Sequence, residues 1–437
     1  MEVAFKQKGK IVFMSISETL TKDRQIVRDL AKRAADIAAL PVQKEKREMW
    51  SRLNDLNPVR PMVLIFGGGI TWSEMDDETL ICQAADPYYQ WQEMHWRRQL
   101  FRWEYLRNDM VIEPFVECPV FINDTGCGWS SEDVTDKIIY SEKYREWPSK
   151  SFKPTIHSDD DLERFHLPVI SINEEGTREY LEKTKDLYDG IFDVRSTGVS
   201  GDGFWAWNSV SLWLGLEQTM TLLSDNPDLV HKVMRRVTDA QLSRMEQYES
   251  LGLYSLSSGH QNTGNGGYAY TNDLPSYGSG KTASPGDLWC SAVAEIFTCV
   301  SPEMHGEFAL NYEMEILKKY GLSYYGCCER LDNKIHILEK IPNLRKISVS
   351  AWADPEKAAE KIGNRYVYSY KPDNTAISCD TWDMDETRRT LKNVMDITKR
   401  YNCPVEIIMN AVSTLRNDPK RIFEWSEMAQ HIAEEYF

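Results

Sequence analysis

No stretch of the 437 residues is apolar over the roughly 18 positions a membrane-crossing helix requires, so no membrane partner is expected. The first fifteen residues lack a continuous apolar core, because Lys6, Lys8 and Lys10 interrupt them, and they do not read as an export signal. Positive charge is in deficit. The formal net charge of −16 repels phosphate backbones and anionic lipids, which argues against nucleic acid as a partner. The nine cysteines have no regular spacing and, without an export signal, read as reduced thiols of a cytoplasmic protein. No Gly-x-Gly-x-x-Gly opens a helix after the first strand, which counts against a dinucleotide-binding sheet. Internal repeats and low-complexity linkers are also missing, so neither a solenoid nor a division of the main body is expected.

What is present is a large globular complement, 42% hydrophobic and 27% charged, with 14 tryptophans that hint at an aromatic-lined cavity. An apolar stripe over 21–40 (Ile26, Val27, Leu30, Ala34, Ile37, Ala38) predicts a helix stopped by Pro41, and a second helix is expected over 44–56. The run 62–66 reads as a buried strand closed by Gly67, Gly68 and Gly69. Residues 72–168 offer one clear helix, over 88–107, among long insertions. Further on, strand and helix signals alternate. Asn226 and Pro227 open a long helix that Gly252 closes, and a strand is expected over 253–256. Ser301 and Pro302 open another helix, followed by strands over 323–328, 346–350, 365–370 and 405–409. Helices are expected over 332–340, over 355–362, behind an Asp383/Glu386 cap, and after Asp418 and Pro419. Strands recurring with a helix after each imply parallel pairing. The expected fold is α/β: a (β/α)8 TIM barrel over 61–437 with insertions, preceded by a helical extension over 1–60.

In such a barrel, function gathers where strands end. Cys327, Cys328 and Glu329 form the sharpest such group. Thiolates and a carboxylate, with an imidazole such as His260 from a neighbouring strand end, suit a zinc ion with one open position. Alternation along a strand sends neighbouring side chains to opposite faces, so both cysteines reach one ion only if the chain has already turned. His260 and Glu329 are the candidate catalytic residues. Trp205, Trp207 and Trp352 are candidate walls for a flat substrate, and Lys371 and Asn410 candidate polar anchors. Ordinary packing, or a solvated lysine, explains each of these equally well.

The segment 301–308 (Ser-Pro-Glu-Met-His-Gly-Glu-Phe), the group Gly326-Cys-Cys-Glu329 and the register after it resemble the uroporphyrinogen-decarboxylase-like superfamily, in its corrinoid-dependent methyltransferase branch. The resemblance covers residues 60–437 and is strongest from 287 onward. It implies the same barrel and a methyl group moved from a small methylated donor, a methoxyaromatic among them, to the cobalt of a corrinoid (cobalamin) carried by a partner protein. An O-demethylase component is one such role. Two departures stand out. The arginine-rich segment with which the decarboxylases grip a tetrapyrrole is represented over 60–72 by the single Arg60 and a triple glycine. The thiol-methylating members hold zinc with a His-x-Cys pair and a cysteine on the last strand. Here Cys328 is retained, Gly326 replaces the histidine, and the last strand and its end offer Glu406, Asn410 and Ser413. Zinc would therefore take other partners, with Glu329, His260 or Cys379 as candidates, or none would bind. Two other roles remain: a decarboxylase or lyase acting on a small carboxylic acid, with Lys371 as anchor and His260 as acid, and a non-catalytic ligand-binding barrel. A homodimer is compatible with the sequence.

Overall fold

The computed structural model describes residues 2–7, 10–75, 77–129, 135–139 and 149–436. Parts of the expected insertion, 130–134 and 140–148, lie outside the described residues. At its centre is a seven-stranded sheet built from β1 (Met62–Ile65), β4 (Asp202–Phe204), β5 (Trp289–Ala292), β6 (Leu322–Tyr325), β7 (Leu344–Ser350), β8 (Val367–Lys371) and β9 (Val405–Met409). Its order is β4-β5-β6-β7-β8-β9-β1 and every pairing is parallel. A separate parallel pair joins β2 (Phe115–Pro119) to β3 (Asp193–Thr197). Parallel strands need crossovers, and buried positions run unbroken along β1, β5, β6, β8 and β9, as expected when helices cover the sheet.

Helix boundaries follow capping chemistry. The Asn226 side chain accepts from the Leu229 amide and opens Pro227–Ser250. Asp354 accepts from the Glu356 and Lys357 amides at the start of Pro355–Ile362, and Asp383 from the Glu386 amide at the start of Met384–Arg400. The first long helix is Ile16–Ala38, preceded by an antiparallel hairpin, Glu2–Gln7 with Lys10–Ser15, where no element was expected. α2 (Pro41–Asn54) follows, and α3 (Pro87–Tyr105) is the helix expected in the aromatic region. The strand expected over 253–256 is reduced to one parallel bridge between Val199 and Tyr254. Two hydrogen bonds hold it, Val199 N to Leu253 O and Ser255 N to Val199 O. No helix among the described residues is long and apolar enough to cross a membrane. All nine cysteines are unbridged.

The glycine-rich segment after His260 packs against the inner side chains of the sheet. Thr263 N reaches Gly267 O, Gly266 N reaches Thr263 O, and Asn262 bridges Tyr268. Three of its positions require glycine. A Cβ on Gly264 (φ +56°) would come within 2.8 Å of the Ser291 Cβ, and one on Gly266 within 2.7 Å of both Tyr324 and Glu406. A Cβ on Gly267 would strike the Trp50 ring of α2. Beneath this segment lies a buried polar cluster. Lys346 Nζ and Glu406 Oε2 are 3.0 Å apart with neither side chain exposed, and Ser369 Oγ and the Gly267 amide both donate to Glu406 Oε1. Burial alone would raise the Glu406 pKa; Lys346 and Lys371 outweigh it and hold the carboxylate ionised.

Candidate functional site

β6 ends at Tyr325, and Gly326 turns the chain in a left-handed conformation (φ +99°), where a side chain would strike Leu331 and Ser348. Strand alternation therefore stops before the cysteines. The turn brings Cys327 Sγ and Cys328 Sγ to 3.4 Å on one side, and Ser348 Oγ fixes the loop by donating to Cys327 O at 2.6 Å. Glu295, on the short turn Glu295–Cys299 after β5, completes a group whose three donor atoms lie within 4.8 Å of one another. The third donor is thus Glu295 and not Glu329. Glu329 is fully buried and turned back into its own loop, where Cys327 N (2.8 Å) and Ala294 N (3.3 Å) donate to it. Burial pushes its pKa up to about 7 against those hydrogen bonds. It clamps the loop that presents the thiols.

The donor set suits zinc. Two thiolates at the usual Zn–S length subtend about 3.8 Å across a tetrahedral centre, close to the 3.4 Å between Cys327 and Cys328. The Glu295 carboxylate would be a third ligand, and a fourth position would stay open for a reacting molecule. The hydrogen bond shared with Cys328, together with burial, holds the Cys327 thiol far above its ordinary pKa, so a cation is what would make this pair a thiolate pair. Cys328 is exposed and supplies the accessible face.

Lys371, at the end of β8, is buried rather than solvated, and its Nζ donates to Ser369 Oγ at 2.7 Å. Burial brings its pKa down to about 8, opposed by Glu406 and the two thiols. Trp205 is 44% exposed, with Nε1 on Ser291 Oγ (3.0 Å), and lines a cavity of about 370 Å³ that runs along β4 and β5 from their first residues, Asp202 and Trp289. Trp207 does not share that face. It lies in the helix Ala206–Leu214, not on a strand, is 1% exposed, packs on Phe297 and donates to Phe308 O, so it is a core residue and not a substrate wall. Trp352 projects into solvent at 63% exposure beyond β7. Asn410 follows β9, where its backbone lies under Gly69 and its carbonyl accepts from Asn374 Nδ2. His260 stands apart from the thiols' loop. Its Nε2 is 3.8 Å from Glu117 Oε2, its ring sits edge-on to Phe115, and its Nδ1 is buried without a partner.

His260 lines a cavity that sequence reasoning missed. This cavity, of about 350 Å³, shares Trp91, His95 and Gln99 with a larger one of about 650 Å³ along α3. The larger lobe reaches Gly67 at the end of β1, where Arg102 Nη2 donates to Ile65 O at 2.7 Å. His95 opens onto both lobes, and desolvation and then the Arg102 charge push its pKa down to about 4, so its imidazole is neutral at pH 7. The pattern of α3 gave no warning. Aromatic and charged residues surround it on all sides, so no face is marked as facing a cavity.

Comparison with known proteins adds little. No family model matches the chain, and no curated protein does. Among solved structures it is similar to one described as methyltransferase from Methanosarcina mazei, at 11% identity and a TM-score of 0.48, over 90% of this chain and 99% of that one.

Proposed function

We propose that the chain is a methyltransferase that moves a methyl group from a small methylated donor, such as a methoxyarene, to the cobalt of a partner corrinoid protein. The seven-stranded sheet and the β2–β3 pair are read here as parts of one (β/α)8 barrel. The observation that carries the proposal is the Glu295–Cys327–Cys328 group at the carboxyl ends of adjacent parallel strands. The sequence resemblance over 301–308 and 326–329 supports it.

Demethylating an ether breaks a C–O bond whose electron pair stays on oxygen, while reduced cobalt supplies the pair that forms the new bond to carbon. The poor leaving group needs a proton or a cation at the departing oxygen. Zinc held by Glu295, Cys327 and Cys328 would supply that Lewis acidity. The chain's own contribution is positional. Gly326 aims both thiols, Glu329 and Ser348 lock the loop, and buried Lys371 places positive charge beside the thiols, favouring their ionised form. The alternative pairing of Lys371 with His260 in a decarboxylase gains no support, because the cavity lined by His260 does not include Lys371.

The test is metal analysis beside a spectroscopic assay for methylcobalamin, using reduced cobalamin with methoxyarenes, methylamines and betaines. About one zinc per chain and methylation from one donor class are expected; if no donor methylates cobalamin, the proposal fails. Cys328→Ser is expected to lower bound zinc and to cut methyl transfer by at least about 100-fold, since loss of even an outer partner of a metal ligand costs up to that much.

A further inference from the structure

The larger lobe along α3 lies outside the cysteine cluster. In a chain of net charge −16, none of the described residues lining it is acidic, yet it holds two arginines, a histidine and two tryptophans. Arg102 is the decisive one. It is only 8% exposed, and its guanidinium meets the Ile65 carbonyl and, at 3.5 Å, the Gln99 amide oxygen, with Tyr268 nearby. Its Nε is buried without a partner, and no carboxylate meets it among the described residues. A buried cation left uncompensated is costly, and an anion brought alongside relieves that cost. Room is made for this arginine. A Cβ on Gly67 would come within 3.0 Å of Arg102 Nη1, so the triple glycine at the end of β1 lets the guanidinium lie at the cavity edge.

The walls define the rest of the ligand. Trp72 is fixed by its Nε1 bond to Gly67 O and carries the Arg98 guanidinium over its ring at 5.0 Å. Trp91 is 73% exposed at the lip, where an indole invites a flat partner. The volume, about 650 Å³, falls within the usual range for small-molecule sites. We propose that this lobe binds a small aromatic carboxylate, its carboxylate paired with Arg102 and its ring held between Trp72 and Trp91. Neutral His95 sits on the wall shared with the second lobe, within reach of polar ring substituents.

The inference goes beyond methyl transfer and does not rest on it. Benzoate has no methyl group to give, so its binding and the methylcobalamin assay fail or succeed separately. The experiment is calorimetric titration of the full chain, with tryptophan fluorescence as a second readout. The probes are benzoate, benzamide, cyclohexanecarboxylate and inorganic phosphate. Saturable binding of benzoate is expected, at least about tenfold tighter than benzamide, which keeps the shape and lacks the charge. Cyclohexanecarboxylate and phosphate are expected to bind more weakly than benzoate. Arg102→Met should weaken benzoate by about 10- to 100-fold. Trp91→Ala should weaken it several-fold, and it tests the site with Arg102 intact should Arg102→Met fail to fold. Any of four results would overturn the proposal: no saturation with benzoate up to about 10 mM, equal binding of benzamide, tighter binding of phosphate, or a folded Arg102→Met protein with unchanged affinity.

Discussion

Glu406→Ala is expected to destabilise the protein by about 3–5 kcal/mol, because it strands the Lys346 ammonium in a site with no access to water. The pair joins β7 to β9, 3.0 Å apart and fully buried, and Glu406 also accepts from Ser369 Oγ and the Gly267 amide. Losing the carboxylate therefore unpairs one cation, weakens the compensation of Lys371, and leaves a hydroxyl and an amide without an acceptor. Replacing both partners, as Glu406→Leu with Lys346→Met, is expected to recover most of the loss, since paired removal leaves no uncompensated charge. Urea denaturation of the two single variants and the double variant measures this as a cycle. A single variant losing less than about 1 kcal/mol would show that water reaches the pair.

The second large effect is a pH dependence centred on Glu313. Tyr325 OH donates to Glu313 Oε2 at 2.6 Å, and His305 Nε2 lies 2.6 Å from the same hydroxyl, all three buried. Burial pushes the Glu313 carboxyl from 4.5 up to about 8, against the hydrogen bond from Tyr325, and pushes His305 down to about 3. The sign follows from proton counting. Between about pH 4.5 and about 8 the folded chain keeps a proton on Glu313 that the unfolded chain releases. The contribution to stability is therefore complete below 4.5 and is lost as pH rises through about 8. Its full size is at most on the order of 5 kcal/mol. Glu313→Gln keeps an acceptor for Tyr325 and removes the ionisation, so the variant should gain on the parent protein as pH climbs through this window. Unfolding free energies that run parallel with pH for the two proteins would refute the assignment.

Much of the framework was legible because its signals are local. The Asn226–Pro227 and Asp383–Glu386 caps set helix starts through side-chain bonds spanning three residues, and the helix over 355–362 and the strand over 405–409 came out to the residue. β5 was missed. Trp-Cys-Ser-Ala carries too few β-branched residues to announce a strand, and with it went Glu295, three residues beyond its end. Sequence pattern placed Cys327 and Cys328 at a strand end, yet whether both face one ion turns on the dihedral of Gly326, which composition does not encode. Lys371 lay open between anchor and solvated lysine; its burial beside Glu406 and the Tyr324 ring, both distant in sequence, decides its environment. Trp207 was read as a candidate substrate wall and belongs to a helix, which turns its ring inward. Arg102 sits in a helix that was foreseen, but only the approach of Gly67 gives its charge a role.

The opening sixty residues are stitched into the body rather than appended to it. Trp50 donates to Asp109 O, Asn54 donates to both Tyr268 O and Tyr270 O, and Arg345 reaches back to Asn54 O. α2 thus acts as a bung whose indole fills the hollow that Gly267 leaves. A version trimmed to begin at Met62 would uncork the glycine segment and strand its carbonyls, so the first helices and the sheet are best treated as one indivisible folding unit.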